Sequence, residues 1–271
     1  SYQRSDVYKM IRQNQFQRTM GADTTGDANS SRSAATGVGS IGRVYDSNSQ
    51  YLNMDMATVS YRHEGAAWKL AANLSFSKGD YVTKNQEDGF FTAVATSGLT
   101  NLVLRMDGLS GVYDRQVPVL TATDRTGAVV DPYRIAGTQT INSVSTTEPI
   151  RRQEILGGTV HLTREVPWTI PITFKTGLAI DRQERNVSAN GYSWTFTPPG
   201  GATGREIGNF DVVATEFSRD WYSTDGAGNK VRPEFLSTAK VYNLYKQNPG
   251  WFVLNEAAAH QTAVTNRRQL E

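Results

Sequence analysis

The chain has 271 residues, of which 38% are hydrophobic and 10% aromatic, so it can bury a sizeable core and is too aromatic to be disordered. Its 28 basic and 26 acidic residues are interspersed and give a formal charge of +2, which leaves no broad cationic surface for nucleic acid. The absence of cysteine excludes disulfide scaffolds and thiol nucleophiles, and the absence of any run of eighteen apolar residues excludes a helical membrane protein.

The N-terminal region lacks strand-like alternation. Ser5 is predicted to cap a short helix that runs toward Gly21. Further on, Gly37, Gly39 and Gly42 have the G-x-G-x-x-G spacing of a dinucleotide-binding loop. The residues before these glycines are polar and those after them are typical of turns, so we interpret the spacing as a flexible loop.

The first strong strand signal lies between residues 54 and 76. Residues 54–62 alternate weakly between apolar and polar side chains, and residues 67–76 alternate sharply. The apolar positions of the second run are Trp68, Leu70, Ala72, Leu74 and Phe76. Only the polar link 63–66, which contains Gly65, separates the two runs, so the pattern predicts a hairpin at about 54–76.

A second hairpin is predicted at about 155–182. Residues 155–164 and 170–181 alternate, and a link at 165–169 containing Pro167 joins them. The apolar positions of the second run are Ile170, Ile172, Phe174, Leu178 and Ile180. Both hairpins therefore combine strands of about ten residues with a short turn.

Long connections flank the two hairpins. We expect residues 77–154 and 183–271 to be long loops that contain short helices and short strands. A helix is predicted from Pro233 toward Pro249, and extra strands at 192–197 and 210–217.

Alternation of short turns with very long loops favours an all-β fold, namely an antiparallel transmembrane β-barrel segment with long extracellular loops. Strands of nine to eleven residues are long enough to span a bilayer when tilted. Trp68 and Trp168 lie near the short turns, and we interpret them as membrane-interface aromatic residues. Packing in the core of a soluble protein is the alternative for both.

Four aromatic residues of the long loops are candidate ligand contacts: Tyr192, Trp194, Trp221 and Tyr222. Flat aromatic faces among polar groups suit sugars and other amphipathic ligands. Packing within the loops is the simpler explanation of the same pattern.

The sequence offers no catalytic constellation. The three histidines, His63, His161 and His260, have no second histidine at metal-ligand spacing, and no serine lies in a G-x-S-x-G motif. We therefore predict no enzymatic activity, no catalytic residues, no metal site and no cofactor.

Three runs carry a resemblance to a known family: residues 56–79 (MATVSYRHEGAAWKLAANLSFSKG), residues 155–186 (ILGGTVHLTREVPWTIPITFKTGLAIDRQERN) and residues 241–271 (VYNLYKQNPGWFVLNEAAAHQTAVTNRRQLE). Together they resemble the barrel of TonB-dependent outer-membrane receptors, most closely the very large forms of carbohydrate-degrading bacteria.

The resemblance implies energised uptake of a bulky nutrient, such as a glycan or a siderophore, across the outer membrane. The expected partners are outer-membrane lipid, the nutrient and, through a plug domain not recognised in residues 1–271, the TonB complex. Without a plug or a terminal aromatic strand, the chain is expected to be an interior piece of a barrel. A soluble, secreted β-sandwich that binds glycans through loop aromatics remains the alternative.

Overall fold

The computed structural model describes residues 1–110, 118–214, 223–224, 227, 229–257 and 259. The described residues form an all-β fold built on a sheet of 14 mostly antiparallel strands. The strands are β1 Tyr2–Thr19, β2 Thr25–Gly26, β3 Ser30–Arg32, β4 Gly39–Glu64, β5 Trp68–Thr83, β6 Ala93–Thr96, β7 Leu99–Asp107, β8 Val119–Thr123, β9 Val129–Val130, β10 Ile141–Val166, β11 Ile172–Phe196, β12 Ser223–Thr224, β13 Lys230–Val231 and β14 Phe252–Leu254. The helices include α1 Gly201–Gly204 and α2 Thr238–Gln247. In these parts of the chain no helix has the length and apolar character needed to cross a membrane.

Five long strands, β1, β4, β5, β10 and β11, lie side by side in this order and alternate in direction. β4 and β10 each have 26 residues, or about 85 Å of extended chain. Tight turns at residues 65–67 and 167–171 join β4 to β5 and β10 to β11. Both predicted hairpins are therefore confirmed.

The strands extend well beyond their predicted ends. β5 continues to Thr83, β10 begins at Ile141 and β11 ends at Phe196, so the loops predicted at 77–154 and 183–271 were drawn too long. Apart from residues 192–196, these extensions carry mostly charged and polar residues on both faces, so they lack the apolar alternation from which a strand is predicted. At the hairpin turns, the second strand of each hairpin was predicted to begin too early, because Ala67 and Ile170 lie in the turns.

The predicted helix between Ser5 and Gly21 is wrong. This segment is β1, which pairs with β4 along its whole length, from Tyr2 opposite Ala57 to Thr19 opposite Ser40. An 18-residue ladder of backbone hydrogen bonds with β4 outweighs a local helical pattern, which is weak evidence on its own.

One face of the sheet carries a folded layer at the end remote from the turns. The described residues within 20–38, 84–140 and 197–254 supply this layer, which we call the loop body. Beneath it, alternate residues of β4 are buried: Ile41, Arg43, Tyr45, Ser47 and Ser49. Its largest buried cluster includes Tyr45, Phe91, Val94, Ile135, Ile141, Val144, Phe196, Ile207, Val212, Phe235, Leu236, Val241 and Phe252.

Within the loop body, the helix predicted between Pro233 and Pro249 is confirmed as α2. It begins later than predicted, because the Ser237 side chain accepts a hydrogen bond from the Lys240 backbone N–H and caps the first turn. Val241 faces the core from this helix.

The remaining loop predictions have mixed outcomes. The strand predicted at 192–197 is confirmed as the end of β11, but Val213 forms only an isolated bridge with Leu236, so the strand at 210–217 is wrong where the structure describes it. Gly39 and Gly42 lie in β4, so the flexible loop expected there is a turn at Gly37 followed by a strand.

Candidate functional site

The sheet near the tight turns carries a large exposed apolar surface on one face, which we call the apolar band. Paired residues of adjacent strands lie on the same face, so the strand register defines its members. They are Ala57, Val59, Tyr61, Trp68, Leu70, Ala72, Leu74, Phe76, Leu156, Gly158, Val160, Leu162, Phe174, Leu178 and Ile180. The predicted apolar faces of β5 and β11 are confirmed by this register.

No described residue of another element covers the apolar band. Val59 is 67% exposed and Leu178 is 64% exposed, values far above those of core residues. A depression of about 320 Å³ lies at its centre, where the small residues Ala72 and Gly158 separate larger apolar side chains. His63, Arg164 and Thr176 also lie on this face near the turns, but the rest of it is apolar. An exposed apolar surface of this size marks a contact with another molecule or with lipid.

The opposite face of the same four strands, which we call the polar face, has a different chemistry. Its members near the turns include Thr58, Ser60, Lys69, Asn73, Ser75, Thr159, His161, Thr163, Lys175 and Asp181. Lys69 on β5 pairs with Glu165 on β10 at 2.8 Å. One face of these four strands is therefore lined mainly by polar side chains, and the other mainly by apolar side chains.

Two rows of charged residues end the apolar band on the side of the loop body. The rows cross all five long strands and contain Arg4, Asp6, Asp55, Lys78, Asp80, Arg152, Glu154 and Glu184. Arg152 Nε lies 2.7 Å from Asp80 Oδ1, and Lys78 Nζ lies 3.3 Å from Glu154 Oε1. The same face thus changes within a few residues from apolar, to charged, to covered by the loop body.

The turn end of the apolar band carries the two tryptophans predicted to lie at a membrane interface. Trp68 begins β5, and the guanidinium of Arg164 lies 4.6 Å from its ring centre. Trp168 lies in the turn 167–171 and is 67% exposed. Neither ring belongs to a buried cluster, and their membrane-interface role stays a prediction.

The four candidate ligand contacts are only partly described. Tyr192 and Trp194 lie on β11 with ring centres 6.1 Å apart, whereas Trp221 and Tyr222 lie outside the described residues. Trp194 packs against Phe91 at 5.6 Å and is half-buried by the loop body. A role in ligand contact stays a prediction for these residues.

Within the described residues, no group of three or more histidine, cysteine or acidic side chains is placed to hold a metal. His63 lies on the face of the apolar band, His161 lies on the polar face, and His260 is outside the described residues.

Two titratable groups of β4 contact the loop body and stabilise its position on the sheet. Burial lowers the pKa of Arg43, whose guanidinium donates to the backbone carbonyls of Pro132 and Tyr133 at 2.9 Å. A hydrogen bond to Asp88 raises the pKa of the Tyr51 hydroxyl to about 12.

The charged rows were missed in the sequence because the strands predicted at 67–76, 155–164 and 170–181 stop short of them and because β1 was not predicted as a strand. Lys78 and Asp80, and likewise Arg152 and Glu154, have the two-residue spacing of a strand face, which was the available signal.

Comparison with known proteins does not assign the chain: no family model matches it and no curated protein matches it.

Proposed function

We propose that the five long strands cross an outer membrane as part of a β-barrel, and that the chain belongs to a TonB-dependent receptor that imports a bulky nutrient. The observation that carries this proposal is the apolar band, with the polar face behind it and charged residues beyond it. A membrane barrel needs lipid-facing apolar side chains to alternate with water-facing polar ones along each strand.

The dimensions of the apolar band support this placement. From Trp68 to Phe76 the band extends about 26 Å along the strand, which becomes about 20 Å for a strand tilted by about 40°. Exposed Trp168 and Ile170 in the turn add to its height. The result is close to the apolar height of about 25 Å typical of outer-membrane barrels.

A soluble sandwich would require a second sheet about 10 Å from the apolar band. The loop body lies on this face of the sheet, but beyond the charged rows, and no described segment folds back over Val59, Leu74 or Leu178. Lipid supplies the missing cover without further protein.

The edges of the sheet are also open. Among the described residues, no strand pairs with the outer edge of β1 at residues 2–11, and none pairs with the outer edge of β11 at residues 172–188. Because unpaired backbone groups are not tolerated in hydrocarbon, and because membrane barrels have at least eight strands, further strands must complete the wall.

Uptake coupled to the TonB complex rests on the resemblance of the strand segments and on the proportions of the molecule. Strands of about 85 Å are far longer than a bilayer requires and hold the loop body well outside it. A tall outer wall with a folded body suits capture of a large solute before transport.

Membrane separation and transport assays test the proposal. The protein is expected to stay with the outer membrane after alkaline carbonate extraction and to require detergent for purification. Cells that produce it are expected to accumulate a labelled oligosaccharide or iron chelate from a panel only when TonB is present. Recovery as a monomer in water without detergent would refute membrane insertion, and uptake independent of TonB would refute energised transport.

A further inference from the structure

A groove of about 360 Å³ opens on the polar face, at the level of the charged rows. Its floor is Gly79 of β5, where an added Cβ would meet nothing within 4 Å. Met54 and Gln153 are the direct neighbours of Gly79 on β4 and β10, and Tyr81 forms the wall on the side of the loop body. The missing side chain at Gly79 therefore creates a recess in the middle of the wall.

Three arginines belong to the lining of this groove, and the strand register places two of them, Arg151 of β10 and Arg185 of β11, on the polar face. Arg185 is paired with Gln153 in the strand register, two residues from Arg151, so the two side chains are diagonal neighbours on one face. Diagonal positions of this kind are about 7–8 Å apart. The Arg151 guanidinium lies 5.4 Å from the ring centre of Tyr81, within the range of a cation–π contact at the groove wall.

These arginines differ from the arginines on the other face. Arg152 is paired with Asp80 and Arg182 with Glu184, whereas neither Arg151 nor Arg185 forms an ion pair with any described residue. The nearest acid on their own face of β11, Asp181, is four residues from Arg185, or about 13 Å along the strand. The groove therefore combines a recess, an aromatic wall and two arginines without an ion pair to a described residue, while the Asp80 of its lining is paired with Arg152.

We infer that this groove binds a ligand with two oxyanion groups, carboxylate or phosphate, one at each guanidinium. Arginine binds both groups through two parallel N–H···O bonds, and an aromatic wall suits the carbon skeleton between them. The inference rests on the proposed function, in which the polar face lines the channel, and it assigns an anionic cargo to that channel.

Calorimetric titration of the detergent-purified protein at fixed ionic strength tests the inference. Citrate and inorganic pyrophosphate are the two probes, and triethyl citrate is the neutral control. Saturable binding of citrate identifies a carboxylate ligand, binding of pyrophosphate alone identifies a phosphate ligand, and no binding of the ester is expected.

Matched variants locate the binding. The double variant Arg151→Gln/Arg185→Gln is expected to weaken binding at least tenfold, because both charge-assisted contacts are lost. Gly79→Leu is expected to weaken it by filling the recess without changing the charge. Arg4→Gln and Arg182→Gln, on the opposite face and outside the groove lining, are expected to change affinity less than twofold. Thermal unfolding of each variant establishes that it is folded.

The inference is overturned if neither anion binds, if the ester binds equally well, or if the control variants lose as much affinity as the groove variants. Carbonate extraction of the same protein separates this failure from that of the proposed function. Membrane-embedded protein without anion binding refutes the groove alone. Anion binding by a water-soluble protein refutes the channel alone.

Discussion

Asn85 connects three segments of the chain inside the loop body and is fully buried. Its Oδ1 accepts a hydrogen bond from the Ser49 backbone N–H at 3.0 Å, and its Nδ2 donates to the Thr147 carbonyl at 3.1 Å and to Thr92 Oγ1 at 2.5 Å. The backbone pairing of β5 with β4 ends at Thr83, and the buried amide of Asn85 supplies hydrogen bonds just beyond that point.

We predict that Asn85→Ala lowers the free energy of unfolding by about 2–4 kcal/mol, because it leaves the buried Ser49 N–H without a partner and also removes the hydrogen bonds to the Thr147 carbonyl and the Thr92 hydroxyl. Urea unfolding in detergent measures the change. Asn243→Ala, on the exposed side of α2, is the matched control and is expected to change stability by less than about 0.5 kcal/mol. Equal effects of the two variants would contradict the role of Asn85.

Asp124 organises the turn between β8 and β9. Its carboxylate accepts hydrogen bonds from the Thr126 hydroxyl at 2.7 Å and from the Ala128 N–H at 2.9 Å, and these bonds lower its pKa. Because the pKa is lower in the folded state, this stabilisation is present above the unfolded pKa of about 3.9 and is lost as the pH falls through the folded value.

We therefore predict that the stability difference between the native protein and Asp124→Asn is present at pH 7 and shrinks below about pH 4. Unfolding temperatures measured from pH 7 to pH 2 test this. Asp23→Asn is the control, since Asp23 is exposed and its side chain forms no hydrogen bond with a described residue. A difference independent of pH would exclude the carboxylate as its source.

At the scale of elements, the strands divide into a part with an apolar face and a part with charged faces. The hairpin turns and the apolar face from Trp68 to Phe76 were predictable, because apolar and polar residues alternate there without interruption. β1 was not, because Val7, Met10 and Ile11 have helical spacing and only the pairing with β4 selects the strand.

The charged rows and the candidate groove were also beyond sequence prediction. Arg151 and Arg185 are 34 positions apart and become neighbours only through the β10–β11 register. Trp194 could be expected in either a ligand site or a core, and only its contact with Phe91 shows the packing. These features were not predicted because they depend on the register between strands that are far apart in the sequence, and the local pattern of residues does not encode that register.

For β11 we predict that Leu178→Lys reduces the folded fraction in lipid vesicles, whereas Ala179→Lys does not. Leu178 lies at the middle of the apolar band, where a lysine facing lipid costs about 2–4 kcal/mol, and the neighbouring residue faces the polar side. Resistance to urea extraction from vesicles measures the folded fraction. Equal loss for both variants would show that the two faces are not in different solvents.

At the scale of the molecule, the proposed function has a single sheet serve two environments, water and lipid. Above the charged rows the sheet and the loop body bury a shared core that includes Tyr45, Phe91 and Phe252, as in a water-soluble domain. Below them the sheet is one layer thick and exposes the apolar band. The charged rows lie where a lipid headgroup layer would meet both parts.

Site-directed spin labelling of β11 tests the central claim, that the apolar band faces lipid, most directly. The chain has no cysteine, so single cysteines at residues 173–180 can be labelled without background. In membranes, labels at even-numbered positions are expected to be accessible to oxygen and those at odd-numbered positions to a water-soluble nickel chelate. Nickel access that is high at every position, with no alternation, would contradict membrane insertion.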